Sequence, residues 1–132
     1  MDKVEFLILR NLLYNEEYVR KVIPFIKADY FEDYNQKVVF EEIVNFVEKY
    51  NKTLTQEVLC IETEKRQDIN DSSFQEITKL ISSLQNTPSE FNWLIDTTEK
   101  WCRDRAIYLA LMESIQLADG KDDTKGRDAI PT

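Results

Sequence analysis

A chain of 132 residues is one domain by length and long enough to enclose a real core. Lys and Arg number 17 against 25 Asp and Glu, and the formal net charge of −8 argues against a phosphate-neutralising, nucleic-acid-binding surface. There is no histidine, which excludes histidine acid–base catalysis, Ser-His and Cys-His nucleophile pairs and His-containing metal sites.

Only two glycines and three prolines occur, a composition that favours helices over sheets and tight turns. Both glycines, Gly120 and Gly126, lie late in the chain, so neither usual kind of glycine-rich phosphate loop can form. Cys60 and Cys102 sit far apart in helical patterns and cannot supply a four-thiolate zinc site. With no secretory signal and no apolar run able to span a bilayer, they read as reduced thiols of a cytoplasmic protein. On these exclusions the chain by itself is not expected to be an enzyme.

Residues 3–13 read as an apolar helix buried on more than one side. Asn15 caps a second helix opened by Glu16 and Glu17, whose charges suit the positive end of the dipole. Tyr18, Val19, Val22 and Ile23 form its inner face, and Pro24 ends or kinks it. The connector 26–31 carries Tyr30 and Phe31, an aromatic pair placed to plug the core. Asp33 or Asn35 starts a third helix reaching Tyr50, with Val39, Phe40, Ile43, Phe46 and Val47 at amphipathic spacing; Asn51-Lys52 ends it. Thr55 caps a fourth helix over 56–66, with Val58, Leu59 and Ile61 inward. After a polar loop over 68–71, Ser73 and Glu76 have capping-box spacing for a fifth helix facing Phe74, Ile77, Ile81 and Leu84 inward.

The longest element starts at Thr87-Pro88-Ser89-Glu90, which supplies a cap, a first-turn proline and a capping-box acid. Nothing breaks it before Asp119-Gly120, where Gly120 can take the left-handed conformation that ends helices. Such a helix is roughly 46 Å long at 1.5 Å per residue. That is more than the core of so small a head requires. Leu94, Trp101, Tyr108 and Ile115 recur every seven residues, with Thr98, Arg105 and Met112 between them, and the stripe reads as a packing seam. The stretch 106–112 is apolar around most of its circumference, so a second partner is expected, either another helix of this chain or another copy of it. The candidate interface residues are Trp101, Arg105, Tyr108, Leu111, Met112 and Ile115. Arg105 stands on the apolar stripe and needs a charge partner wherever it is covered. Residues 119–132 are charged, with little to bury, and read as a linker or disordered tail. The fold class is therefore all-α, with a multi-helix head over 1–86 and one long protruding helix over 87–118.

The pairs Glu16-Glu17, Glu41-Glu42 and Asp122-Asp123 read as solvated surfaces, because adjacent residues on a helix point apart. Lys100, Trp101, Arg103 and Arg105 set cations beside an aromatic, as sites for single-stranded nucleic acid do. Trp101 belongs to the seam, however, and Arg103 points about 160° away from Arg105. The preferred reading is a solvated flank plus an arginine paired across an interface.

The run Asn86-Thr87-Pro88-Ser89, the long helix, and Arg103-Asp104-Arg105-Ala106 within it resemble the N-terminal domain of DnaB-type hexameric replicative DNA helicases. Tyr30-Phe31-Glu32, Trp93-Leu94, Thr98-Glu99-Lys100, Arg105-Ala106 and Ala129-Ile130-Pro131 stand in an order similar to that of the replicative helicases of T-even-like bacteriophages. The resemblance implies a helical head followed by the first arm of a helical hairpin. It implies that hairpins of two subunits pack together and that such pairs form a collar on a six-membered ring. It also implies that the parent protein unwinds duplex DNA with a RecA-like ATPase domain, and that the N-terminal domain helps engage primase in the primosome. ATP and Mg²⁺ would belong to that ATPase domain, and no catalytic, cofactor or metal residue carries over to this chain. The chain is then expected to be an expression fragment or a truncated reading frame that self-associates, meets DNA only through the full-length ring, and has no membrane partner. A rival reading is a free-standing acidic helical adapter or regulator that binds one partner protein. A third, an enzyme in its own right, survives only as a carboxylate–metal site.

Overall fold

Five helix starts in this chain share one device, a side-chain oxygen that accepts the backbone N–H three residues on. Asn15 accepts from Tyr18 at 3.0 Å, Asp33 from Gln36 at 3.2 Å, Thr55 from Val58 at 3.2 Å, Asn70 from Ser73 at 2.8 Å and Glu90 from Trp93 at 2.6 Å. Each satisfies one of the donors that a first helical turn leaves orphaned. The computed structural model describes residues 3–128, of which 120–128 as backbone alone. Its elements are α1 (Lys3–Tyr14), α2 (Glu16–Val22), a single 3-10 turn (Ala28–Tyr30), α3 (Tyr34–Tyr50), α4 (Gln56–Glu64), α5 (Asp71–Ser82) and α6 (Phe91–Asp128). No strand occurs among the described residues, and the fold is all-α, with a long last helix.

α1 lies at the centre and packs against α2, α3 and α6; α3 packs against α4 and α5, which pack against each other. The core runs from Ile8, Leu9, Leu12 and Leu13 through Tyr18, Phe31, Ile43, Leu59, Ile77 and Ile81 to Leu94, all essentially inaccessible. Tyr30 and Phe31 fill it from the connector, as their placement suggested, and the 3-10 turn that carries Tyr30 bridges α3 and α6. Asn51 ends α3 in the left-handed region at φ 56°. Arg20 then binds its Oδ1 (3.1 Å) and its carbonyl (3.3 Å) while pairing with Glu16 (2.8 Å), which ties α2 to the end of α3.

Four expectations are corrected. α5 begins at Asp71 behind Asn70, so Ser73 receives the cap rather than providing it, and Glu76 instead accepts from Asn35 of α3 at 3.0 Å. Ile61 is 49% exposed; the buried face of α4 is Leu59 and Thr63, four residues apart, and the Thr63 hydroxyl is satisfied by the Leu59 carbonyl at 2.7 Å. α6 starts at Phe91, not Pro88, because Glu90 is its cap, accepting Trp93 N–H on the side chain and Leu94 N–H on the carbonyl. The helix also continues through Gly120 to Asp128. A glycine inside a helix costs only about 1 kcal/mol relative to alanine and does not by itself end one. Residues 129–132, part of the expected tail and carrying the Ala129-Ile130-Pro131 run, lie outside the described residues.

Candidate functional site

The first three turns of α6 belong to the head. Leu94 and Thr98 are fully buried, and Ile95, Trp101 and Cys102 nearly so. Thr98 donates its hydroxyl proton to the Leu94 carbonyl at 2.8 Å and accepts from Tyr18 Oη at 2.7 Å, so both hydroxyls of this contact between α2 and α6 are satisfied. Burial drives the Tyr18 hydroxyl well above its ordinary pKa, only partly countered by Thr98. Trp101 stacks against Phe31 with ring centres 5.0 Å apart and meets Tyr30 edge-on at 6.0 Å. One residue further, the Cys102 thiol is pushed up to about 12, first by burial and then by the Glu99 charge.

Arg105 closes this contact. Its Nε donates to the Tyr30 carbonyl, its Nη1 lies 3.3 Å from Glu32 Oε1, and its guanidinium sits 5.0 Å from the centre of the Tyr108 ring. The charge partner that the sequence demanded is thus found within the chain. Beyond Cys102 no described residue of α6 is buried. Tyr108 (48%), Leu111 (60%) and Ile115 (54%) are exposed along one side, Met112 is half-buried between them, and Leu109 still touches the core.

The seam read from the sequence is therefore divided. Trp101 is spent on the core and Arg105 on its edge, while Tyr108, Leu111, Met112 and Ile115 project past the head. Ile107 (54% exposed) widens the apolar surface, Leu117 (61%) is exposed on the far side of the helix, and neither was among the six candidates. The signal for Ile107 was the all-round apolar run; that for Leu117 was only its place in the same helix.

The remaining clusters are structural. Lys100 pairs with Asp104 at 2.9 Å and Trp101 is covered, so the cations and the aromatic of that segment do not form a shared surface. Glu41 and Glu42, expected to diverge, both reach Arg66, at 3.1 and 2.9 Å, and Asp68 joins them at 2.6 Å. Among the described residues no group of three or more potential ligands could hold a metal ion, and no helix is long and apolar enough to cross a membrane.

A helical head that commits the start of its last helix to its own core and leaves the rest with a bare apolar stripe defines an all-helical module whose arm has an unpartnered face. The chain belongs to the DnaB-like helicase N-terminal domain family, whose sequence model matches residues 2–94. Over 111 residues it is 28% identical to the DnaB-like replicative helicase of Enterobacteria phage T4, a match covering 84% of this chain and 23% of that protein. The chain thus spans less than a quarter of that relative's length. The family match ends at Leu94, so the exposed stripe lies past it.

Proposed function

We propose that this chain is the N-terminal collar and oligomerisation domain of a replicative DNA helicase, and that it contributes to engaging primase. The observation that carries the reading is the stripe Tyr108, Leu111, Met112 and Ile115, left uncovered by the head in a chain of this family. On this reading α6 is the first arm of a hairpin, and its stripe meets the same stripe of another copy within a hexameric ring. ATP hydrolysis, Mg²⁺ binding and DNA unwinding belong to the parent protein, which works in the cytoplasm of the host cell, and DNA is met only through the assembled ring.

The energetics limit what the chain does alone. Each side chain of this size is worth roughly 1.5–3 kcal/mol when buried. Four per chain oppose an association cost of about 4–15 kcal/mol. The balance gives a weak dimer, not a stable hexamer.

Sedimentation velocity over a concentration series, with co-elution against the primase encoded by the same genome, tests the proposal. Concentration-dependent dimerisation and co-elution are expected. A chain that stays monomeric up to about 1 mM, where a contact worth about 4 kcal/mol would already be half-formed, overturns the oligomerisation reading. Absence of co-elution overturns the primase reading. A free-standing adapter would show one heterologous partner and no self-association.

A further inference from the structure

At the other end of α6 from the stripe, a groove of about 550 Å³ opens between the first turns of α1 and α6. It is lined by Lys3, Val4, Phe6, Leu7, Arg10, Trp93 and Thr97. Trp93 is half-exposed in it, although indole is among the costliest side chains to leave in water. Eighteen residues, or roughly 27 Å of helix, separate Trp93 from Leu111, so this surface is distinct from the projecting stripe.

Its charge runs against the rest of the molecule. With 25 Asp and Glu in 132 residues, the described lining of the groove nevertheless includes no acidic residue and two cationic ones, Lys3 and Arg10. Arg10 leans over the Phe6 ring at 5.8 Å, and its buried Nε has no hydrogen-bond partner. The Nε is closed to the surface, but the side chain as a whole is only half-buried, and a carboxylate is the group that matches the open part of a guanidinium fork.

We propose that this groove docks an amphipathic helix of a partner protein that sets a carboxylate on Arg10 and apolar side chains between Phe6, Leu7 and Trp93. An open trough suits an extended occupant, whereas a small molecule is bound with most of its surface enclosed. Tryptophan and arginine are both among the residues enriched where protein interfaces concentrate their binding energy. Single-stranded nucleic acid, the other ligand of cations and aromatics, is disfavoured by two cations in a chain of net charge −8.

The test is a display library of helical peptides selected on the intact chain and counter-selected on the Lys3→Glu/Trp93→Ala variant, two changes at the rim that spare the core. The expected result is enrichment of sequences with Asp or Glu one turn from Leu, Ile or Phe. A selected peptide should shift the emission of Trp93 to the blue and bind Arg10→Glu at least tenfold more weakly at unchanged far-UV circular dichroism. Should Arg10→Glu fail to fold, the rim variant carries the same comparison. Enrichment of basic sequences, or equal binding to the variants, overturns the proposal. So does an oligo-dT that competes with the peptide, or a Trp93 shift on concentrating the chain alone, which would make the occupant nucleic acid or a second copy.

Discussion

Tyr18 Oη lies 2.7 Å from Thr98 Oγ1, and because the Thr98 proton is already given to the Leu94 carbonyl, Tyr18 is the donor between them. This contact fixes α6 against α2 within the turns of the long helix that belong to the core. The two ends of the bond are not equivalent. Tyr18→Phe removes the donor and leaves an acceptor that still donates elsewhere, so it should cost about 0.5–1.5 kcal/mol. Thr98→Val strands a buried hydroxyl and should cost about 1–3 kcal/mol. Urea unfolding of both variants checks the order; Tyr18→Phe as the worse of the two would refute the donor assignment.

The same tyrosine gives a pH signature. Its folded pKa is raised by burial above the unfolded value of about 10. Its contribution to stability is therefore complete below pH 10 and is lost as pH rises toward the folded value. Wild-type stability should fall above pH 10, and Tyr18→Phe should soften that fall. An identical alkaline limb in the variant would assign it to other groups.

The cysteines should differ in reactivity. Both thiols are raised by burial, but Cys102, at about 12 and 7% exposed, is far less available as thiolate than the half-buried Cys60. At pH 8, iodoacetamide should label Cys60 first in the native chain and Cys102 only on unfolding. Mass spectrometry of a time course decides it; equal rates would mean that the start of α6 detaches readily from the head.

Met112→Asp should shift sedimentation toward monomer while leaving far-UV helicity nearly unchanged, since it charges a surface that the head does not cover. Trp101→Ala should instead reduce stability by about 3–5 kcal/mol, the usual cost of truncating a buried aromatic. Loss of the helical signal in Met112→Asp would place Met112 in the monomer core and remove the interface.

Arg66 holds Glu42, Glu41 and Asp68 around one guanidinium and so joins α3 to the loop before α5. Only the Glu42 contact is well covered, so Arg66→Ala should cost about 1–2 kcal/mol, less at high salt. Hydrogen bonding to Arg66 holds the Asp68 carboxyl below its usual range. Its small contribution is present above about pH 4 and disappears as pH falls through the folded value. Thermal melts from pH 7 to pH 2 in the two backgrounds should converge at the acid end, and a gap that stays constant would exclude this linkage.

Much of this protein was written locally. Asn15 and Thr55 cap the helices they were read to cap, and Asp33, one of two candidates for α3, caps that helix, because a capping oxygen acts within three residues and needs no tertiary contact. The apolar period likewise placed Leu94, Thr98 and Trp101 on one face of α6. Where two local signals competed, the sequence was ambiguous: Asn70 displaced Ser73, and Glu90 displaced Thr87. Only the tertiary structure decided how the seam is shared. Periodicity shows that a face is apolar but not what covers it, and the position of Phe31 and of the Tyr30 carbonyl determines that coverage stops at Arg105. The groove beside Trp93 was illegible for the same reason, since it exists only where the first turns of α1 and α6, about ninety residues apart in the chain, are brought side by side by the packing of the helices between them.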